Sequence, residues 1–382
     1  MTPSTVVRWA WAEIDLDALA HNIGVLRDAV SPAAVWAVVK ADGYGHGAID
    51  IARTAIAAGA EGLCVALVQE GIDLRRAGID APVLVLSEQP PEAAARLIAH
   101  RLTPTVYRRA FLDALVAESP VGLPVHLKID TGMQRVGAHP HVAVAMASSI
   151  AQRAPALRLA GVYTHLAVAD DADPESIEFT DAQLETFAKL LGDIPPVPAI
   201  HAANSAAALS RPDARLSLVR AGIAIYGVSP GPGVDHLCHE LRPVMELRAR
   251  VSFVKQVRAG SRISYGLRHR FERDTTVATV PIGYADGVPR RLHAVGGEVL
   301  IAGRRCPIVG VVTMDQLMVD CGDLEVRVGD DVTLIGAQSA ENGAVERIRA
   351  EDWADALGTI GYEVVCGISA RVPRVPRRSI DR

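Results

Sequence analysis

The chain has 382 residues, 49% of them hydrophobic and 22% charged, with a formal net charge of −5. That length predicts two domains, each with room for a sizeable core. The weak, mixed charge gives no electrostatic basis for a nucleic-acid partner, and no run of about 18 apolar residues is present to span a membrane.

The N-terminal stretch MTPSTVVRWAWAEIDLDAL has no apolar segment behind a basic start, so no signal peptide is expected. Five scattered cysteines (Cys64, Cys238, Cys306, Cys321, Cys366), with no C-x-x-C, argue against a disulfide framework. They suit a reducing compartment, the cytoplasm. The apolar segment Val7–Ile14 has no helix ahead of it, and residues 1–15 are expected to join the sheet of a later domain.

Short β-branched runs then alternate with Ala/Leu-rich helical stretches. Strands are predicted at Trp36–Lys40, Gly62–Ala66, Val83–Leu86, Leu102–Val106, Val125–Asp130, Leu159–His165, Pro198–Asn204 and Ser217–Tyr226. Helices are predicted at Gly47–Ala58, Val142–Arg153 and Glu175–Leu191, the last after an Asp-Pro start. Eight such units over residues 16–240 predict an α/β fold, a (β/α)8 barrel of TIM type, with a doubly wound sheet as the competing arrangement. The Gly/Pro-rich segment Val228–His239 reads as a linker. From 241 to 382 the texture becomes mainly β, with runs at Val244–Val257, Thr275–Ile282, Val299–Ala302, Cys306–Thr313 and Val332–Ile335. Helical periodicity returns only near Glu346–Leu357.

Barrels place chemistry on the loops that follow their strands. The first strand runs into VVKADGYGHG, where Lys40 closes a buried apolar run and loss of water favours a neutral, nucleophilic amine. Lys40 is therefore a candidate Schiff-base lysine; on spacing alone, a strand-end lysine reaching solvent is the plainer reading. The segment lacks the G-x-G-x-x-G dinucleotide pattern, and no G-K-[ST] occurs in the chain. His236, Cys238 and His239 lack a fourth neighbouring ligand, so no metal site is expected. The basic stretch Arg371–Arg378 reads as a solvated end.

The segment VVKADGYGHG resembles the one that carries the pyridoxal-phosphate lysine in alanine racemases, a family with a barrel followed by a β domain. HLKIDTGMQRVG (126–137), YTHLA (163–167), HAANSAA (201–207), RAGIAIYG (220–227) and SYG (264–266) are similar to successive family motifs. So are PIGYADG (281–287), VGVVTMDQLMVD (309–320) and GYEVVCGI (361–368). Nine matches in order cover most of the chain. One departure is Ala167, where the family commonly has an aromatic residue after THL.

The resemblance implies pyridoxal 5′-phosphate bound covalently by Lys40 and cradled at its phosphate by Asn204, Ser205, the backbone of Gly222 and Ile223, and the hydroxyls of Tyr44 and Tyr362. It places Arg220 against the pyridine nitrogen. An arginine cannot accept a proton, so it disfavours a protonated ring and weakens the cofactor as an electron sink, which favours reprotonation over transamination. Lys40 and the partner subunit's Tyr265 are implied as bases on opposite faces of the substrate, with His165 linking Tyr265 to Arg220. Arg135, with partner-contributed Met314 and Tyr284, is implied at the substrate; Asp315 is a weaker candidate there. Lys128 matches a lysine often carbamylated in the family, although pairing with Asp130 is the simpler alternative. The implied activity is interconversion of L- and D-alanine, supplying D-alanine for peptidoglycan, by a homodimer with shared sites. A broad-specificity racemase and a non-enzymic cofactor-binding barrel are the competing readings; a basic amino-acid decarboxylase shares the barrel, but the motif bearing its partner cysteine is absent.

Overall fold

A computed structural model describes residues 8–118 and 120–378. Val7, the first residue of the expected Val7–Ile14 run, and the N-terminal stretch before it lie outside the described residues. The described chain divides into two compact units, one of Ala18–Arg242 and one of the residues up to Asp17 together with those from Pro243 onward.

The first strand, β1 (Ala10–Asp15), leads into the helix Leu16–Val30. Eight strands follow: β2 (Ala34–Val38), β3 (Gly62–Val65), β4 (Val83–Val85), β5 (Thr103–Val106), β6 (Leu123–Lys128), β7 (Leu157–Tyr163), β8 (Ala199–His201) and β9 (Leu218–Ala221). All pair in parallel, in the order β8-β7-β6-β5-β4-β3-β2-β9. The two ends of that order meet through hydrogen bonds from Ser217 N–H to the Ile200 carbonyl (3.1 Å) and from Arg220 N–H to the Ala203 carbonyl (3.0 Å). This is the (β/α)8 barrel, with the doubly wound alternative excluded by the closure. Short apolar strands such as Gly62–Val65 and Val83–Val85 are buried throughout, as parallel strands covered by helices must be.

Three local differences from the expected elements matter for chemistry. Strand β2 stops at Val38, and Lys40 instead begins a tight turn, Lys40–Tyr44. The last barrel strand ends at Ala221, and Ile223–Tyr226 forms a 3-10 turn, because Gly222 breaks the extended run. The Gly/Pro-rich Val228–His239 region belongs to the barrel unit and holds a 3-10 turn, Pro232–Leu237, anchored where Gly233 N–H meets the Asp170 carbonyl at 3.0 Å.

The second unit contains β10 (Met245–Arg250), β11 (Phe253–Val257), β12 (Arg262–Ile263), β13 (His269–Arg270), β14 (Thr275–Val280), β15 (Glu298–Ile301), β16 (Arg304–Val309), β17 (Leu317–Gly322), β18 (Asp331–Ser339), β19 (Val345–Ile348) and β20 (Arg374–Arg377). Its main sheet runs β11-β14-β17-β16-β15-β18-β10-β1-β20, with β19 on β18. Strand β1 sits between β10, antiparallel, and β20, parallel. Half of the basic stretch Arg371–Arg378 is thus strand: Arg377 pairs with Glu13, and Arg374 donates to the Ile368 carbonyl at 2.5 Å. No helix among the described residues is long and apolar enough to cross a membrane.

Candidate active site

The C-terminal mouth of the barrel gathers ten of the expected site residues. Lys40 enters it on an unusual backbone: Ala41, Asp42, Gly43 and Tyr44 all lie in the left-handed region, with φ between 51° and 62°. For non-glycine residues this conformation costs about 1–2 kcal/mol each, so it must be held from outside. Glu70 Oε1 accepts from Ala41 N–H (2.7 Å), and Asp42 Oδ1 accepts from Ala48 N–H (2.8 Å). Half-buried Lys40 carries its Nζ 5.9 Å from the centre of the Tyr44 ring.

Behind Tyr44 lies a polar cradle. Ser205 Oγ accepts from Gly222 N–H at 2.8 Å and Ala224 N–H at 3.3 Å. Asn204, not Ser205, caps the helix Ser205–Ser210, its Oδ1 accepting from Ala207 N–H at 3.0 Å. A Cβ at residue 222 would stand 2.7 Å from the Tyr44 hydroxyl, so glycine is what lets the backbone approach that oxygen. Ile223, fully buried, opens the next turn.

Arg220 is buried at the end of β9 with neutral acceptors all around it. It donates to His201 Nδ1 (2.7 Å), to His165 Nδ1 (3.2 Å), and to the carbonyls of Thr164 (2.8 Å) and Ala202 (2.9 Å). Since guanidinium only donates, both histidines accept at Nδ1 and carry their proton at Nε2. His201 Nε2–H then donates to His126 Nδ1 at 3.0 Å. Burial, then the Arg220 charge, pushes His165 and His201 well below the usual histidine range and His126 down to about 4. Arg220 makes no ion pair with a carboxylate among the described residues, so its charge stays uncompensated. Burial foremost, then the charges of Arg220 and Arg135, brings Lys128 down to about 8, while Asp130 opposes the shift. Arg135 itself is exposed.

The other unit holds Tyr265, Tyr284, Met314 and Tyr362. Tyr265 is 73% exposed at the tip between β12 and β13. Ser264 before it has φ 65°, held by a 2.8 Å hydrogen bond from its Oγ to the Val311 carbonyl. Tyr284 and Met314 are 41% and 52% exposed on adjacent loops joined by Tyr284 N–H to Thr313 O and Ala285 N–H to Met314 O, both 3.0 Å. A Cβ on Gly283 would reach within 2.3 Å of the Thr313 oxygen, so this approach requires glycine. Tyr362 is half-buried in the helix Gly361–Gly367.

Four residues emerge that pattern reading passed over. His201 and His126 extend the Arg220 network; His201 opens the HAANSAA motif, but a strand-end histidine alone reads as core. The Asp286 carboxylate, fully buried, binds Arg8 (2.6 Å), Arg371 (3.3 Å) and Gly283 N–H (3.0 Å). Arg371 also pairs with Asp315 at 2.6 Å, tying the Tyr284 and Met314 loops together. At the family departure, Ala167 N–H donates to Gln183 Oε1 at 2.9 Å. Among the described residues no group of three or more His, Cys, Asp or Glu side chains could hold a metal ion.

The donor set fits pyridoxal 5′-phosphate: an amine at Lys40, a cradle that glycine keeps open beside Ser205 and Tyr44, and a buried cation at Arg220. Residues 14–230 match the family described as alanine racemase, N-terminal domain, and residues 244–376 match alanine racemase, C-terminal domain. The chain is 43% identical over 380 residues to an alanine racemase of Nostoc sp., covering 96% of this chain and 95% of that one. It is 45% identical over 376 residues to that of Symbiobacterium thermophilum, covering 96% and 97%. Among solved structures, alanine racemase from Bacillus anthracis with bound L-Ala-P superposes with a TM-score of 0.90 at 38% identity, covering 98% of this chain and 97% of that one. The enzyme from Streptomyces lavendulae superposes equally well, at 0.90 and 37% identity, covering 98% and 99%.

Proposed function

The chain belongs to the alanine racemase family, and on that premise we propose how its own residues divide the work. The protein is a pyridoxal-phosphate-dependent isomerase that interconverts L- and D-alanine, the latter destined for peptidoglycan. The bound cofactor withdraws electrons from the substrate α-carbon and so acidifies its C–H.

Lys40 holds the cofactor and moves the proton on one face of the α-carbon. Tyr265 of the partner subunit serves the opposite face, because removal and return on one side preserves configuration. A phenolate needs nearby positive charge, and His165 supplies the link: with Nδ1 accepting from Arg220, its Nε2–H is the donor left for the Tyr265 oxygen. Ser205, Asn204, Tyr44, Tyr362 and the Gly222 and Ile223 backbone bind the phosphate. Arg135 binds the substrate carboxylate, oriented by a carbamylated Lys128, and Met314 and Tyr284 of the partner subunit narrow the entrance. The active form is a homodimer with two shared sites, in the cytoplasm.

The observation that carries this reading is Arg220, buried among neutral acceptors and without a carboxylate partner among the described residues, a cation that would disfavour a proton on a pyridine nitrogen held beside it. The test is α-proton exchange with solvent deuterium, screened across amino acids on the cofactor-loaded protein. Alanine should exchange with racemisation; rapid exchange of arginine or lysine would favour the broad-specificity alternative, and no exchange at all the non-enzymic one.

A further inference from the structure

Strands β16 and β17 are antiparallel neighbours in the second unit, with Ile308 opposite Val319 and Val309 opposite Met318. Two residues beyond these pairs the side chains of Cys306 and Cys321 meet, at the point where β17 also shifts register against β14. Directly opposed residues point to the same face of a sheet, and both side chains are buried, at 3% and 4% exposure. Opposed Cα atoms in antiparallel strands stand about 4.5 or 5.5 Å apart, and either spacing falls within the roughly 4.4–6.8 Å that a disulfide spans. Both cysteines are free thiols.

The pair is also chemically asymmetric. Contact between the two sulfurs holds the Cys306 thiol below the usual range and, with burial, pushes Cys321 up. Each thiol donates to a backbone carbonyl, Cys306 to Arg304 at 3.7 Å and Cys321 to Val319 at 3.8 Å. Cys64, by contrast, is pushed up to about 12 by burial and sits in the barrel unit, and Cys366 is exposed on the helix Gly361–Gly367. On its other side Cys306 pairs with Val299, which is fully buried.

We propose that Cys306 and Cys321 form a peroxide-reactive dithiol that closes reversibly to a disulfide at the root of the hairpin bearing Met314. The Cys306 thiolate attacks one oxygen of hydrogen peroxide; the O–O bond breaks, the departing hydroxide takes up the thiol proton as water, and a sulfenic acid remains. The Cys321 sulfur then attacks the Cys306 sulfur, the S–O bond breaks, and hydroxide leaves with the Cys321 proton as a second water. Two sulfurs lose two electrons in all, and one peroxide gains them. A dithiol reductant reverses the step. The loop closed by the bond contains Thr313, Met314 and Asp315, so oxidation restrains the backbone that presents them. The dithiol does not depend on what Met314 meets, since its readouts are covalent and dynamic.

The test treats the holoenzyme with equimolar hydrogen peroxide, alkylates remaining thiols, and maps peptides without reduction. The expected product joins the Cys306 and Cys321 peptides with the loss of two hydrogens, reverts with dithiothreitol, and slows amide exchange across residues 310–316 severalfold. Cys306→Ser and Cys321→Ser should each abolish the cross-link and leave that exchange unchanged by peroxide. Stable sulfinic acid on Cys306 of the unsubstituted protein without a cross-link would overturn the proposal. Full alkylation of both thiols after unfolding would do the same, and unchanged exchange in the cross-linked protein would remove the link to the hairpin.

Discussion

Arg220 donates to His201 Nδ1 at 2.7 Å, and this one contact sets the proton positions of a buried relay that runs on to His126. Because the guanidinium cannot accept, His201 must offer Nε2–H to His126, and His165 must offer its own Nε2–H away from Arg220. Replacing Arg220 by glutamate reverses this polarity: the carboxylate accepts a proton and can share one with a pyridine nitrogen. Racemisation by Arg220→Glu should fall by roughly 10²-fold or more, as when one preorganised donor is lost. Pyruvate formation from alanine should rise at the same time, read by coupled pyruvate assay. A parallel fall in both would show that Arg220 only supports the fold.

The relay also predicts an acid limb in stability. His126, His165 and His201 are held below their ordinary values, so the unfolded chain binds protons that the folded chain does not. Stability is therefore complete above pH of about 6.5 and declines as pH falls toward about 4, where His126 itself takes a proton. His126 alone contributes at most roughly 3 kcal/mol across that window. Urea midpoints at pH 7.5 and 5 should differ in the unsubstituted protein, and His126→Gln should narrow the gap.

Tyr265 stands exposed on a short hairpin, so Tyr265→Phe should leave the fold intact while removing one base. Loss of the L-alanine α-proton should slow by about 10²–10⁴-fold, the usual worth of a general base, with far less effect on the D-enantiomer. Equal slowing of both would refute the division between Tyr265 and Lys40. Mixing Lys40→Ala and Tyr265→Ala subunits should restore activity to the heterodimer, because one of its shared sites then lacks neither base. Verified mixing without activity would count against shared sites.

Lys128, brought down to about 8 chiefly by burial, has a neutral amine available near neutral pH, the form that adds carbon dioxide. Carbon-13 NMR in labelled bicarbonate should show a carbamate that is missing in Lys128→Ala. The same substitution should raise KM for alanine more than it lowers kcat, as Arg135 loses its orientation. Absence of the signal would leave Lys128 as a partner of Asp130.

The barrel was legible because its strands are short, buried and β-branched, and because stretches of helical periodicity such as Gly47–Ala58, Val142–Arg153 and Glu175–Leu191 lie between them. The second sheet was harder to divide: Val244–Val257 read as one run, yet the chain turns at Val251–Ser252 to make two strands. Arg371–Arg378 read as a solvated end because its charges dominate composition, whereas its backbone pairs with β1 and its guanidinia find carbonyls and Glu13. At the site, the Lys40 motif could be recognised by resemblance but its shape could not be inferred. Ala41 has no local preference for a left-handed turn and Asp42 only a weak one; Glu70, 29 residues on from Ala41, stabilises it. Likewise Asp286 reads as one of many carboxylates until folding brings Arg8 and Arg371 to it from opposite ends of the chain.

Strand β1 imposes an order on synthesis. Its two hydrogen-bonding edges belong to β10 and β20, which leave the ribosome after the whole barrel has been made. At about 5–20 residues per second, the edge that meets β20 stays open for tens of seconds. Until β10 follows, AWAEID is open on both edges, and until β20 follows it keeps one edge open, the kind of template on which chains associate wrongly. Conditions that slow elongation between β1 and β20 should therefore lower soluble yield, because every added second leaves that edge unpaired.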